Sequence, residues 1–131
     1  MKFKTIRQSI TIKTTPDKVY TAFMDSKTHS KFTNSPAKIS NKIGAEYSAY
    51  NGYIKGKNLE LVPNEIIRLS WKASNWKEDM NSEIKLEIEP THIGTRISFT
   101  HKNVPEDEYD SIKKGWLDFY WQPMKELLND K

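Results

Sequence analysis

Through the middle of the chain, apolar and polar residues alternate with period two, the pattern of a strand with one buried face and one wet face. Residues 82–90 show it most clearly. Ile84, Leu86 and Ile88 fall on one side, and Glu83, Lys85, Glu87 and Glu89 on the other. Ile97, Phe99 and His101 alternate with Arg96, Ser98 and Thr100, and Ile67, Leu69, Trp71 and Ala73 share a third face. Asn51-Gly52, Pro63-Asn64 and Ile93-Gly94 separate apolar stretches at the spacing of hairpin turns. The pattern predicts seven strands, over 3–13, 37–41, 45–51, 53–62, 65–74, 82–90 and 94–102. One-sided strands joined by tight turns point to an antiparallel sheet.

Helical spacing appears at the two ends of this region. Thr15-Pro16-Asp17 predicts a helix start, with Thr as cap, Pro in the first turn and an acid near the positive end of the dipole. Val19, Tyr20 and Phe23 then form a short apolar stripe, and a second short helix is expected near 27–32. After Pro105, the acids Glu106, Asp107 and Glu108 open a longer helix, in which Tyr109, Ile112, Trp116, Phe119, Tyr120 and Leu127 recur on one side. Gly115 and Pro123 interrupt it. Pro123 has no amide hydrogen, so it is expected to kink the helix and free the carbonyl of Phe119.

A sheet of this size cannot leave its apolar face in water, and the aromatic C-terminal helix is the only element able to fill the concave side. The expected fold is therefore α+β: a curved antiparallel sheet of six or seven strands, two short helices and a long C-terminal helix. The 131 residues and 15.3 kDa fit one domain, 1–131, with a single core.

Charge is unevenly spread. Residues 1–58 hold 11 Lys or Arg against 3 Asp or Glu, and residues 59–131 hold 10 against 14, for a net charge of +4. The basic half offers Lys31, Lys38, Lys42, Lys55 and Lys57 as a face for an acidic protein partner. Nucleic acid is not expected. Of 21 basic residues only Arg7, Arg68 and Arg96 are Arg, and no run of more than two consecutive basic residues and no nucleic-acid motif is present. No apolar run approaches the length of a membrane span. The alternating N-terminal residues do not resemble a signal peptide, and the chain has no Cys, so a cytoplasmic protein without disulfides is expected.

The order of elements, the stretch NGYIKGKNLELVPNEIIRLSWKASNW and the late Gly115-Trp116 opening an aromatic helix together resemble the Activator of Hsp90 ATPase homologue 1-like family. The marks are Gly52 and Gly56, Leu61-Val62-Pro63, Trp71, Trp76 and Gly115-Trp116, and the resemblance runs from about Thr5 to Leu128. It implies a helix-grip domain of the START-like, Bet v 1-like superfamily, with a pocket between sheet and long helix. It also implies an Hsp90-type chaperone as possible partner. In the family's eukaryotic co-chaperones such a domain is the C-terminal half of a two-domain protein, and the present chain looks like that half alone.

Candidate chemistry is sparse. Metal-ligand spacing, GxSxG, P-loop and GxGxxG motifs are absent, so no metal, cofactor or catalytic set is expected. His29 lies among Lys and Ser and is expected to be exposed; His92 falls in a turn. His101 shares parity with Ile97 and Phe99 and is the one candidate general base, although a hydrogen-bonded histidine at the rim of the core is the commoner outcome. The aromatic residues carry more. Phe23, Phe32, Tyr47, Leu69, Trp71, Leu86, Phe99, His101, Trp116 and Tyr120 are candidates to line a site for a small apolar ligand, with a filled core as the competing reading. Trp76, in a polar turn, and Trp121, off the main stripe of the long helix, would favour a protein partner if exposed.

The expectation is thus a non-enzymatic binding domain, either co-chaperone-like or a carrier for a lipid or small aromatic molecule. A cyclase- or hydrolase-like enzyme on the same scaffold would need a pocket-facing His101.

Overall fold

A computed structural model describes residues 2–77 and 80–129. In chain order it contains β1 (Phe3–Ile12), α1 (Pro16–Met24), α2 (Ser26–Thr33), β2 (Glu46–Ala49), β3 (Ile54–Val62), β4 (Ile66–Ala73), β5 (Ser82–Thr91) and β6 (Gly94–Pro105). A single 3-10 turn (Glu106–Glu108) leads into α3 (Tyr109–Trp116), a π-helical segment (Leu117–Trp121) and α4 (Gln122–Leu128). The six strands form one antiparallel sheet in the order β1-β6-β5-β4-β3-β2. The helices cover its apolar face, as the alternation requires: Ile67, Leu69, Ile84, Leu86, Ile97 and Phe99 are all buried.

The seventh strand, expected over 37–41, does not form. Only a lone bridge joins Lys38 to Ser48. Lys38 exchanges both backbone bonds with Ser48, but the next residue on that edge, Pro36, has no amide to continue the ladder. On the edge facing away from β2, Ser30 Oγ accepts from the amide of Ala37 at 3.0 Å, and Ser26 Oγ accepts from the amide of Ile39 at 2.7 Å. The segment is thereby tied to α2 instead of extending the sheet.

Local chemistry sets the short helices. Pro16 opens α1, but Thr15 makes no side-chain cap; its hydroxyl goes to the Asp17 carboxylate, which lies below its ordinary pKa for that reason. Asp25 caps α2, its carboxylate accepting from the amide and hydroxyl of Thr28 at 3.0 and 2.8 Å. Asn34 ends α2 in a left-handed conformation.

The C-terminal rod departs most from simple helical spacing. Upstream of Pro123 the ladder widens, and the amide of Gln122 donates to the carbonyl of Leu117, five residues back. The Phe119 carbonyl, which Pro123 cannot serve, accepts the Tyr50 hydroxyl at 2.9 Å. The wide turn also brings residues five apart onto one face. Trp116 and Trp121 stack with centroids 5.6 Å apart and planes at 20°. Trp121 is accordingly 1% exposed, correcting the expectation that it lies off the inward stripe. Its Nε1 donates to Gln8 on β1 at 2.7 Å, while Gln8 Nε2 donates to the Lys113 carbonyl at 3.2 Å.

Candidate functional site

Two buried histidines sit between sheet and helices, and their hydrogen bonds fix their protons. Trp116 Nε1 can only donate, so His101 Nδ1 accepts from it, at 3.0 Å. His101 Nε2 must then carry the proton and donate to Ser82 Oγ at 2.8 Å, and Ser82 in turn donates to the Trp71 carbonyl at 2.7 Å. His29 is the reverse tautomer: Nδ1 donates to the Phe23 carbonyl at 2.9 Å, and Nε2 accepts from the Tyr120 hydroxyl at 3.0 Å. Burial pushes His101 down to about 3 and His29 down to about 4. Both are neutral at physiological pH.

His101 therefore points inward, as its parity predicts, but both ring nitrogens are engaged. The expectation that His29 is exposed is wrong: it is 2% exposed, held among the rings of Phe23, Phe32 and Tyr120 at 5.0 to 5.3 Å. The Ser82–His101 pair has the distance of a nucleophile and its base. Its hydroxyl is buried and already donates to a carbonyl, so it is poised for structure and not for attack.

A small void lies between sheet and helices. Phe23, Tyr47 and Leu69 border this void of about 10 Å³, shared with Trp71, Trp116 and Tyr120, room for about one water at most. Phe32, Leu86, Phe99 and His101 line neither this void nor the larger cavity on the flank, and are buried in the core. Phe99 meets Trp116 at 4.5 Å and Trp121 at 5.0 Å, which accounts for the filling.

A larger cavity of about 390 Å³ opens on the flank, between α3, the β2–β3 turn and the ends of β3 and β4. Of the ten predicted ligand-site residues, Trp71, Trp116 and Tyr120 reach it. Its other walls are Tyr50, Tyr53, Ile54 and Ala73 from the sheet side, and Glu108, Ser111, Ile112, Gly115 and Phe119 from the helix. The helix contribution is a stripe at steps of three and four, with Gly115 leaving a gap in its middle; a Cβ there would meet only Phe119, at 3.8 Å. Phe119 and Tyr53 stand at the rim, 57% and 46% exposed. The legible signal was the Tyr50-Asn51-Gly52-Tyr53 turn, in which Tyr50, Asn51 and Gly52 all adopt positive φ and so turn two tyrosines toward the helix.

The basic candidates separate into groups. Lys38 is paired opposite Ser48, and Ser48 opposite Lys55, so both lysines project from the outer face of the sheet edge. Lys57, opposite Glu46, lies on the same face, and all three are exposed. Lys42, in the loop before β2, and Lys31, at the end of α2, are exposed but outside this row. Trp76 presents no free ring. It is buried, packs edge-on against Trp71 at 5.3 Å, and donates from Nε1 to Glu108 at 3.2 Å. Among the described residues no group of three or more His, Asp or Glu is placed to hold a metal, and no helix is long and apolar enough to cross a membrane.

Residues 13–129 match the family described as Activator of Hsp90 ATPase homolog 1-like protein. The chain belongs to that family. Within the Activator of Hsp90 ATPase homolog 1-like family, it is 29% identical over 115 residues to the mouse activator of 90 kDa heat shock protein ATPase homolog 2, and 24% identical over 118 residues to the human homolog 1. These alignments take in 88% and 90% of the chain but only 35% of either relative, so the chain spans about a third of their length. Among solved structures, an HSP90 activator from Plasmodium falciparum superposes with TM-score 0.87 at 23% identity, covering 94% of both chains. The Aha1 dimer from Colwellia psychrerythraea gives 0.83 at 24% identity, covering 96% of both. The curved sheet closed by a C-terminal helix is the Bet v 1-like fold of these proteins.

Proposed function

We propose that the chain is a non-enzymatic, cytoplasmic binding domain that docks on an Hsp90-type chaperone through the basic edge of its sheet. The observation that supports this most is family membership across 13–129, with relatives named as activators of that chaperone's ATPase. The filled interior and the fully engaged histidines favour binding over catalysis. Lys38, Lys55 and Lys57 supply the steering charge, with Lys31 and Lys42 flanking it and Trp76 acting only indirectly, through Trp71 and Glu108.

Association with a purified Hsp90-type chaperone tests this. Raising salt is expected to slow association, because exposed charges are screened beyond about 10 Å at 0.1 M salt. The triple variant Lys38→Glu, Lys55→Glu, Lys57→Glu is expected to slow it further at low salt. No binding at micromolar concentration, or binding indifferent to salt and to these changes, refutes the proposal.

The flank cavity favours a second reading, a carrier for a small apolar molecule. Its volume of about 390 Å³ lies within the range of small-molecule sites, about 300–1,000 Å³. In this reading the ligand site moves outward from the expected interior, to the groove bordered by Trp71, Trp116 and Tyr120. Trp fluorescence titration with apolar probes tests it. Absence of quenching or of thermal stabilisation across a broad panel refutes it.

A further inference from the structure

The flank groove carries one charge, and it is negative. Glu108 is the only Asp, Glu, Lys or Arg among the residues that line it. Half-buried Tyr50 and buried Tyr120, the phenols in its wall, are held neutral, Tyr50 pushed up to about 12 by burial and Tyr120 raised well above the ordinary phenol range by burial. The Glu108 carboxylate is oriented by Trp76 Nε1 at 3.2 Å, and Trp76 is itself wedged against Trp71. Among the described residues no cation pairs with it. A half-buried carboxylate beside aromatic faces attracts a cation twice, by its own charge and by the electron-rich rings.

We propose that the groove selects an apolar organic cation, an aryl- or alkylammonium compound. Its hydrocarbon body lies over Trp71, Trp116 and Phe119, and its ammonium group lies at Glu108. Anionic amphiphiles such as fatty acids are rejected by the same carboxylate. This inference rests on the carrier reading and adds to it the charge of the ligand.

The test uses three naphthalene probes of nearly equal shape: 2-naphthylmethylamine, 2-naphthalenemethanol and 2-naphthoate. Each is titrated into the full chain by calorimetry at neutral pH. The amine is expected to bind about tenfold more tightly than the alcohol, the increment of a charge-assisted hydrogen bond, and the carboxylate most weakly. Glu108→Gln, which keeps an acceptor for Trp76, should abolish the preference for the amine over the alcohol. Gly115→Leu places a side chain in the groove and should weaken all three.

Equal binding of amine and carboxylate, or an amine preference that survives Glu108→Gln, overturns the charge assignment while leaving a neutral-ligand carrier standing. Binding that Gly115→Leu does not weaken lies elsewhere and overturns the inference. No binding of any probe removes both the carrier reading and this inference.

Discussion

Lowering the pH from 7 to 4.5 should cost this domain a large part of its stability, through two histidines that cannot accept a proton where they sit. His101 Nδ1 faces the indole N–H of Trp116, so a second ring proton would set two donors against each other. His29 Nε2 faces the Tyr120 hydroxyl, whose proton it accepts. The unfolded chain protonates each ring near 6.5, whereas the folded values are about 4 for His29 and about 3 for His101. Both folded values are depressed, so the unfolded state binds protons first as pH falls. The full contribution is present above 6.5, declines below it, and is exhausted only as the pH passes through about 4 and about 3.

Each pH unit below 6.5 costs about 1.4 kcal/mol per site that stays neutral in the fold. Two sites over two units come to roughly 5 kcal/mol at pH 4.5, comparable with the whole stability of a small domain, about 5–15 kcal/mol. Asp17 and Asp25 have lowered pKa values, set by hydrogen bonds from Thr15 and Thr28 respectively. Their contributions are present above the unfolded value of 3.8 and are lost below it, outside this window. Urea unfolding followed by Trp fluorescence between pH 7 and 4.5 measures the slope directly. It should approach two protons, about 3 kcal/mol per pH unit, between pH 5.5 and 4.5. His101→Gln and His29→Gln should each lower stability at pH 7 and remove one proton from the slope. A native slope of less than one proton, or variants with the native slope, would show that the buried rings admit a proton after all.

Two further perturbations probe the frame of the groove. Tyr50→Phe removes the hydroxyl that serves the Phe119 carbonyl and should cost about 1 kcal/mol in urea unfolding. In a Pro123→Ala background, where residue 123 regains an amide, the same change should cost less, and equal costs would show that the hydroxyl does not serve the carbonyl left by Pro123. Gly56→Ala should destabilise the domain by more than about 2 kcal/mol, because a Cβ there would lie 1.9 Å from the Ser70 carbonyl oxygen and 2.7 Å from the Tyr47 ring. A loss below about 0.5 kcal/mol, the range of ordinary surface changes, would refute that reading of the close approach.

The strands were legible wherever one face is buried, because the alternation that marks them is itself the consequence of burial. Residues 82–90 and 66–73 needed no tertiary information. The segment 37–41 did, since its outer amides are tied to hydroxyls of α2 and Pro36 cannot extend its pairing with β2. His29 was misplaced for a related reason. Its sequence neighbours are Lys, Ser and Thr, but Tyr120, which covers it, lies 91 residues away. The freed carbonyl of Phe119 was predictable from Pro123 alone. Its partner, Tyr50, 69 residues earlier, was not.

Trp121 shows how one local rule reorganised the candidate site. Ideal helical spacing turns this residue outward, and an outward Trp would have left room beneath the helix for an internal ligand. Pro123 denies Phe119 its usual amide, and the five-residue turn that precedes it brings Trp121 under Trp116, against Phe99. That pair of indoles packs against Phe99, between helix and sheet. Phe119 is left at the rim, 57% exposed, with its carbonyl tied to the tyrosine of the opposite wall. The same turn therefore closes the inner cavity and builds one side of the outer groove. The carrier reading accordingly places its ligand on the flank, where the helix shows Gly115 and the carboxylate of Glu108.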